Sequence, residues 1–83
     1  MQILFRWRME MVKTLWRGVF NYNRSMEPIM YRYAYTKRQA WKVMCDEIAR
    51  RNDIPKSYVY NYFDGSKQNY EITIEMEVRE NEE

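Results

Sequence analysis

Ile29-Met30-Tyr31-Arg32-Tyr33-Ala34-Tyr35-Thr36-Lys37-Arg38-Gln39-Ala40 is the stretch on which the fold turns. Its first seven residues alternate as a strand does. Tyr31, Tyr33 and Tyr35 share one face, and Met30, Arg32 and Ala34 share the other. At Thr36 the period changes. Thr36-Lys37-Arg38-Gln39 has the form of a capping box, with Thr36 as N-cap and Gln39 at N3. Beyond it Ala40, Trp41, Met44, Cys45 and Ile48 recur at helical spacing, flanked by Val43 and Ala49. A helix is predicted to about Arg51. Asp46–Arg50 and Glu47–Arg51 are i,i+4 pairs in the favourable orientation, and Arg50 and Arg51 suit the negative end of the helix dipole. Asn52 and Asp53 end the helix, and Pro55 prevents simple continuation.

Upstream, Val12–Tyr22 reads as a core strand, and the polar run Asn23–Pro28 reads as the turn that joins it to Ile29–Tyr35 in a hairpin. The first seventeen residues carry two competing periods. Ile3, Phe5, Trp7, Met9 and Met11 alternate as a strand, while Leu4, Phe5, Met9, Val12, Leu15 and Trp16 share a helical face. Strand is favoured because Trp, Phe and Ile suit a pleated surface, with a bulge near Met11–Lys13 where the phase changes. If translation starts at Met9 or Met11, residues 1–8 or 1–10 form an N-terminal extension.

Downstream, residues 56–63 fit either a strand or a short helix, with helix preferred after Pro55. Asp64-Gly65-Ser66-Lys67 is a turn. Tyr70, Ile72, Ile74, Met76 and Val78 then alternate with Glu71, Thr73, Glu75, Glu77 and Arg79, which predicts a last strand with one buried and one acidic face. Glu80–Glu83 is expected to fray. The 83 residues thus describe one small α+β domain. The expected order is β-β-α-(α)-β after an N-terminal strand or helix, with an antiparallel sheet carrying the main helix on one face.

Charge is divided along this chain. Residues 1–56 hold twelve Lys/Arg against five Asp/Glu, and residues 57–83 hold two against seven. Such a split favours self-association or a charged partner over catalysis. There is no histidine, so the commonest general base near neutral pH is missing. One cysteine, Cys45, cannot form an intramolecular disulfide, and one thiolate among carboxylates is a poor zinc set. No cofactor or metal is expected. Charges interrupt every apolar run long before the roughly 20 residues of a membrane span or a signal-peptide core. A cytoplasmic location is the expectation.

Two constellations could carry function. Trp16, Arg17, Arg24, Tyr31, Arg32, Tyr33, Lys37 and Arg38 combine cations that neutralise phosphate with rings that stack on bases, which makes them candidates for nucleic-acid binding. The same alternation arises wherever aromatic side chains pack a core and arginines face water. Glu71, Glu75 and Glu77 could meet a basic partner, including the basic half of a second copy. The favoured reading of the row is a solvated face that guards a strand against aggregation. Cys45, inside the apolar stripe, reads as a buried thiol. Asp64–Lys67 lacks the spacing of a phosphate loop. Tyr58, Tyr60 and Tyr62 are assigned to packing, or to a partner surface if exposed.

Leu15-Trp16-Arg17-Gly18-Val19, with Tyr22 after it, resembles the opening of short uncharacterised proteins common in cyanobacteria, which bring no activity to carry over. A hairpin followed by Thr36-Lys37-Arg38-Gln39-Ala40 resembles the sheet-plus-helix DNA-binding domains of AP2 type and of recombinase arms. That resemblance implies DNA reading by a three-stranded sheet. Residues 2–11 would supply the third strand, and the acidic last strand would be an addition that repels phosphate if it lay beside the DNA face. The sequence therefore points first to a non-enzymatic accessory or regulatory protein. It would act through protein–protein contact, as a homodimer or a small subunit of a complex. Nucleic-acid binding by the sheet face is the alternative.

Overall fold

In a computed structural model of the chain, residues 12–79 are described. The strand expected over residues 2–11, the change of phase near Met11 and the frayed end at 80–83 lie outside the described residues. The elements in chain order are β1 (Val12–Tyr22), β2 (Ser25–Met26), β3 (Met30–Ala34), α1 (Lys37–Asn52), α2 (Lys56–Tyr62) and β4 (Tyr70–Arg79). This is an α+β fold with a small antiparallel sheet and two helices. β1 is the middle strand. β3 pairs with it from Thr14↔Ala34 to Gly18↔Met30, and β4 pairs along its other edge from Val12↔Arg79 to Phe20↔Tyr70.

The segment 23–28 is more structured than a plain turn. Asn23 and Arg24 both take positive φ, 56° and 67°, as a two-residue hairpin turn requires. Ser25 and Met26 then pair with Tyr22 and Asn21 as β2. Pro28, with no N–H to give a ladder, separates β2 from β3.

Thr36 caps α1 as expected, and the return bond of the box is displaced by one residue. Thr36 is extended, and its Oγ1 accepts a hydrogen bond from the Gln39 N–H at 3.1 Å. Gln39 Oε1 reaches back one residue further than a standard box and accepts from the Tyr35 N–H at 2.9 Å. At the other end Asp53 is left-handed, φ 55°, and Ile54 N–H closes onto Ala49 O at 3.0 Å. Of the two expected ion pairs, Glu47–Arg51 forms, at 3.1 Å, whereas Arg50 pairs with Glu47 rather than with Asp46; Arg51 also reaches Glu27. Asp46 instead turns towards α2, where Lys42, Lys56 and the Tyr60 hydroxyl meet its carboxylate. The preferred short helix after Pro55 forms, with Pro55 itself as its extended N-cap.

The core lies between α1 and one face of the sheet. Thr14, Trp16, Gly18 and Phe20 of β1 point into it with Met30 and Ala34 of β3 and Ile72 of β4. Ala40, Met44, Cys45, Ile48 and Ala49 meet them from α1, and Val59 and Phe63 close one end. Phe20 stacks on Tyr70 at 5.3 Å and meets Phe63 edge-on at 5.0 Å. Trp41 Nε1 donates to Phe63 O at 2.9 Å, which ties α1 to the end of α2.

The last strand departs from its sequence pattern. Leu15 pairs with Met76 but Trp16 pairs with Ile74, so Glu75 is an extra residue in a β-bulge. A one-residue insertion reverses every later side chain. Tyr70, Ile72 and Ile74 face the α1 side as expected, but Met76 faces the other way. The buried face expected of Tyr70–Val78 is therefore split. Ile74 is also 54% exposed, because α1 lies over β3 and β1 more than over β4.

Gly18 sits where α1 comes closest to β1. A Cβ there would overlap Met44 Sδ and stand 2.9 Å from Phe20 Cε1. Gly18→Ala is expected to lower stability by about 1–3 kcal/mol through overpacking, although alanine is otherwise the better strand residue. Met44→Ala alone should lose about 2–5 kcal/mol. In urea unfolding the double variant should be less destabilised than the sum of the two, since each removes one side of the same contact.

Candidate functional site

With α1 and α2 on one side, the sheet has a second face that no described element covers. On β1 it presents the alternate residues Lys13, Leu15, Arg17 and Val19, all part-exposed. The rungs follow from the register. Leu15 lies between Tyr33 and Met76, Arg17 lies between Tyr31 and Thr73, and Val19 lies beside Glu71. Directly opposed side chains of this kind are in contact distance across an antiparallel pair. Tyr31, Tyr33 and Met76 are 47%, 54% and 50% exposed. The Lys13 ammonium lies 6.0 Å from the Tyr33 ring and 5.9 Å from the Tyr35 ring. The result is an apolar centre of Tyr33, Leu15 and Met76 with a cation on either side along β1.

The eight residues that sequence marked for nucleic acid do not form one surface. Arg17, Tyr31 and Tyr33 come together on the open face. Trp16 is on the other side of β1, 8% exposed, with its Nε1 donating to Ala34 O at 3.1 Å. It cannot stack on a base without unpacking the core. Arg32 opposes Trp16 on that same side, and its guanidinium donates to Tyr31 O at 2.9 Å. Arg24 is in the β1–β2 turn. Lys37 and Arg38 are in the first turn of α1, in the opposite layer.

Those two cations line a separate cleft of about 480 Å³ with Trp41, Tyr60, Phe63, Asp64, Tyr70 and Ile72. The Arg38 guanidinium lies 5.5 Å from the Trp41 ring. Asp64 is held low in pKa by hydrogen bonds from Ser66, so a carboxylate faces the cations across the opening.

The acidic row is divided as well. Glu71 lies on the open face opposite Val19, Glu75 is the bulge residue, and Glu77 opposes Thr14 on the α1 side. All three are exposed. Sequence reasoning missed Lys13, Leu15, Val19 and Met76 as members of one surface. The β1 alternation carried the signal, since Lys13-Leu15-Arg17-Val19 is the phase opposite to the bulkier Thr14-Trp16-Gly18-Phe20. The place of Met76 had no signal, because the bulge is invisible in the alternation.

Among the described residues no group of three His, Cys, Asp or Glu converges, and no helix is long and apolar enough to cross a membrane. Cys45 is fully buried, and burial, with a smaller contribution from the nearby Asp46 charge, pushes its thiol up to about 12. No family model, curated protein or solved structure matches the chain.

Two outcomes follow from this division of the side chains. Tyr33→Ser should change stability by less than about 1 kcal/mol, the worth of one cross-strand pair. Phe63→Ala should lose about 3–5 kcal/mol, both read from urea unfolding. Cys45 should resist iodoacetamide at pH 8 in the folded protein and react once it is unfolded. Its folded pKa is raised from 9.0, so the stability it contributes is full below pH 9 and is lost as pH rises towards 12.

Proposed function

We propose that this chain is a non-enzymatic accessory or regulatory domain that binds another protein through the open face of its sheet. The observation that carries the reading is the half-exposed Tyr33–Leu15–Met76 rung, apolar and uncovered by any described element. An apolar centre with a polar surround is how protein interfaces are built, and tyrosine and methionine are enriched in them. Leaving such a patch bare is unfavourable in water unless something covers it.

The distribution of cations supports protein over nucleic acid. A nucleic-acid site needs positive charge gathered along one track. Here Lys13 and Arg17 are on the open face with Glu71. Lys37 and Arg38 are in the other layer, and Arg50, Arg51, Lys42 and Lys56 are engaged by carboxylates. The second reading, single-stranded nucleic acid on the open face, is favoured by one observation: Arg17 directly opposes Tyr31 one rung from Tyr33.

A photo-crosslinking amino acid at position 33, in the full chain in its native cell, separates the readings. The expected result is one or a few adducts of discrete mass that are removed by protease and unaffected by nuclease. The same probe at position 58, exposed on α2, should give none of them. Nuclease-sensitive adducts at position 33 would favour the second reading, and identical patterns from both positions would overturn the open-face site.

A further inference from the structure

We infer that the cleft between the start of α1, the end of α2 and β4 binds a free amino acid with an apolar or aromatic side chain. This site is in the helical layer, separate from the open face of the sheet, and its lining lies wholly within the described residues. It sits at the Phe20–Tyr70 end of the β1–β4 ladder. The chain leaves the described residues at the Val12–Arg79 end, about 27 Å away along β1.

The walls suit a small apolar body. At about 480 Å³ the cleft is within the size range of small-molecule sites, and like them it is lined mostly by apolar and aromatic groups. Phe63 and Ile72 are buried, and the rings of Trp41, Tyr60 and Tyr70 are part-buried beside them. Two of those rings have their polar atoms committed to the fold. Trp41 Nε1 donates to Phe63 O at 2.9 Å, and the Tyr60 hydroxyl donates to Asp46. They present a ligand with apolar faces rather than hydrogen bonds.

The charges select the two ends of the ligand. Lys37 and Arg38 line the cleft from α1, and Asp64 lines it from the turn after α2. Among the described residues no ion pair joins either cation to Asp64 or to any other carboxylate. Arg38 lies over the Trp41 ring at 5.5 Å. Asp64 Oδ1 accepts from the Ser66 N–H at 3.0 Å and the Ser66 hydroxyl at 2.7 Å, which holds its pKa low and keeps the carboxylate charged. Lys67, which also acts on Asp64, is directed to Tyr62 O at 3.5 Å. Glu71 shares the adjoining groove with Lys37.

Charges of both signs are therefore held apart around an apolar lining. An α-amino acid carries the matching set: a carboxylate for Lys37 and the planar Arg38 guanidinium, an ammonium for Asp64, and a side chain for the rings. An apolar acid would leave Asp64 unanswered, and an apolar amine would leave the two cations unanswered. The interior of a peptide carries neither charge on its backbone.

The test is an NMR titration of the full, isotope-labelled chain with L-phenylalanine, read from the indole N–H of Trp41. A saturable shift is expected. 3-Phenylpropionate lacks the ammonium, phenethylamine lacks the carboxylate, and glycine lacks the apolar body. Each should bind at least about fivefold more weakly than phenylalanine. Arg38→Gln should weaken phenylalanine without weakening phenethylamine. Asp64→Asn, which keeps an acceptor for Ser66, should weaken phenylalanine without weakening 3-phenylpropionate. Loss of fold would weaken every ligand, so it cannot produce this crossed pattern. Arg17→Gln, on the open face, should alter none of them. No saturable shift up to the solubility of phenylalanine would overturn the site, and so would equal affinity for phenylalanine and either singly charged analogue. Adducts from position 33 are independent of both results, so failure of this site and failure of the open-face reading are distinguishable.

Discussion

The packing of Met44 against the bare backbone at Gly18 sets the distance between the two layers of this domain. Because no Cβ projects from the middle of β1, α1 can lower a long, flexible thioether onto the sheet beside Phe20. The neighbours follow from that approach. Trp16 and Ala34 fill the space on one side, joined by the indole hydrogen bond, and Phe20, Phe63 and Tyr70 form an aromatic cluster on the other. Cys45 and Ile48 are sealed beneath. With one helix of sixteen residues and a short second helix both committed to this side, nothing described in the fold remains to cover the other. The open face is thus a consequence of how the core is closed.

The bulge at Glu75 decides what the open face is made of. Before it, β4 sends Glu71 and Thr73 outward, and after it the same face receives Met76. Without the extra residue, Met76 would lie on the α1 side at the end of the sheet that α1 reaches least. The bulge moves it beside Leu15, where with Tyr33 it makes an unbroken apolar rung. The same step breaks the acidic row into three differently directed carboxylates. Among the described strands it also lies on an edge, where bulges and exposed glutamates both discourage pairing with other chains.

The division of charge along the chain takes a different meaning once folded. Acidic β4 lies directly against β1, the strand that carries Lys13 and Arg17. Several of the basic residues of α1 and the first residue of α2 are matched locally, with Glu47 and Glu27 holding Arg50 and Arg51, and Asp46 holding Lys42 and Lys56. What reads in sequence as a basic body becomes small groups of cations in separate places.

The elements of this protein are determined by its sequence because their signals are local. The period of Met30–Ala34, the Thr36 cap with Gln39, the α1 stripe and the αL end at Asp53 each depend on residues within a turn or a rung of one another. The helix after Pro55 and the hairpin of β1 with β3 were legible for the same reason. The phase of β1 that turns away from α1 was legible as well, because Lys13 and Arg17 fall in it and no charge falls in Thr14-Trp16-Gly18-Phe20. Tertiary structure alone decided which strand lies on each side of β1, where β4 changes face, and how closely α1 approaches the sheet. Hydrophobic burial has no preferred direction, so these were settled by fit, as where the missing Cβ of Gly18 leaves room for Met44 from another element. No local pattern could contain a contact between residues so far apart in the chain.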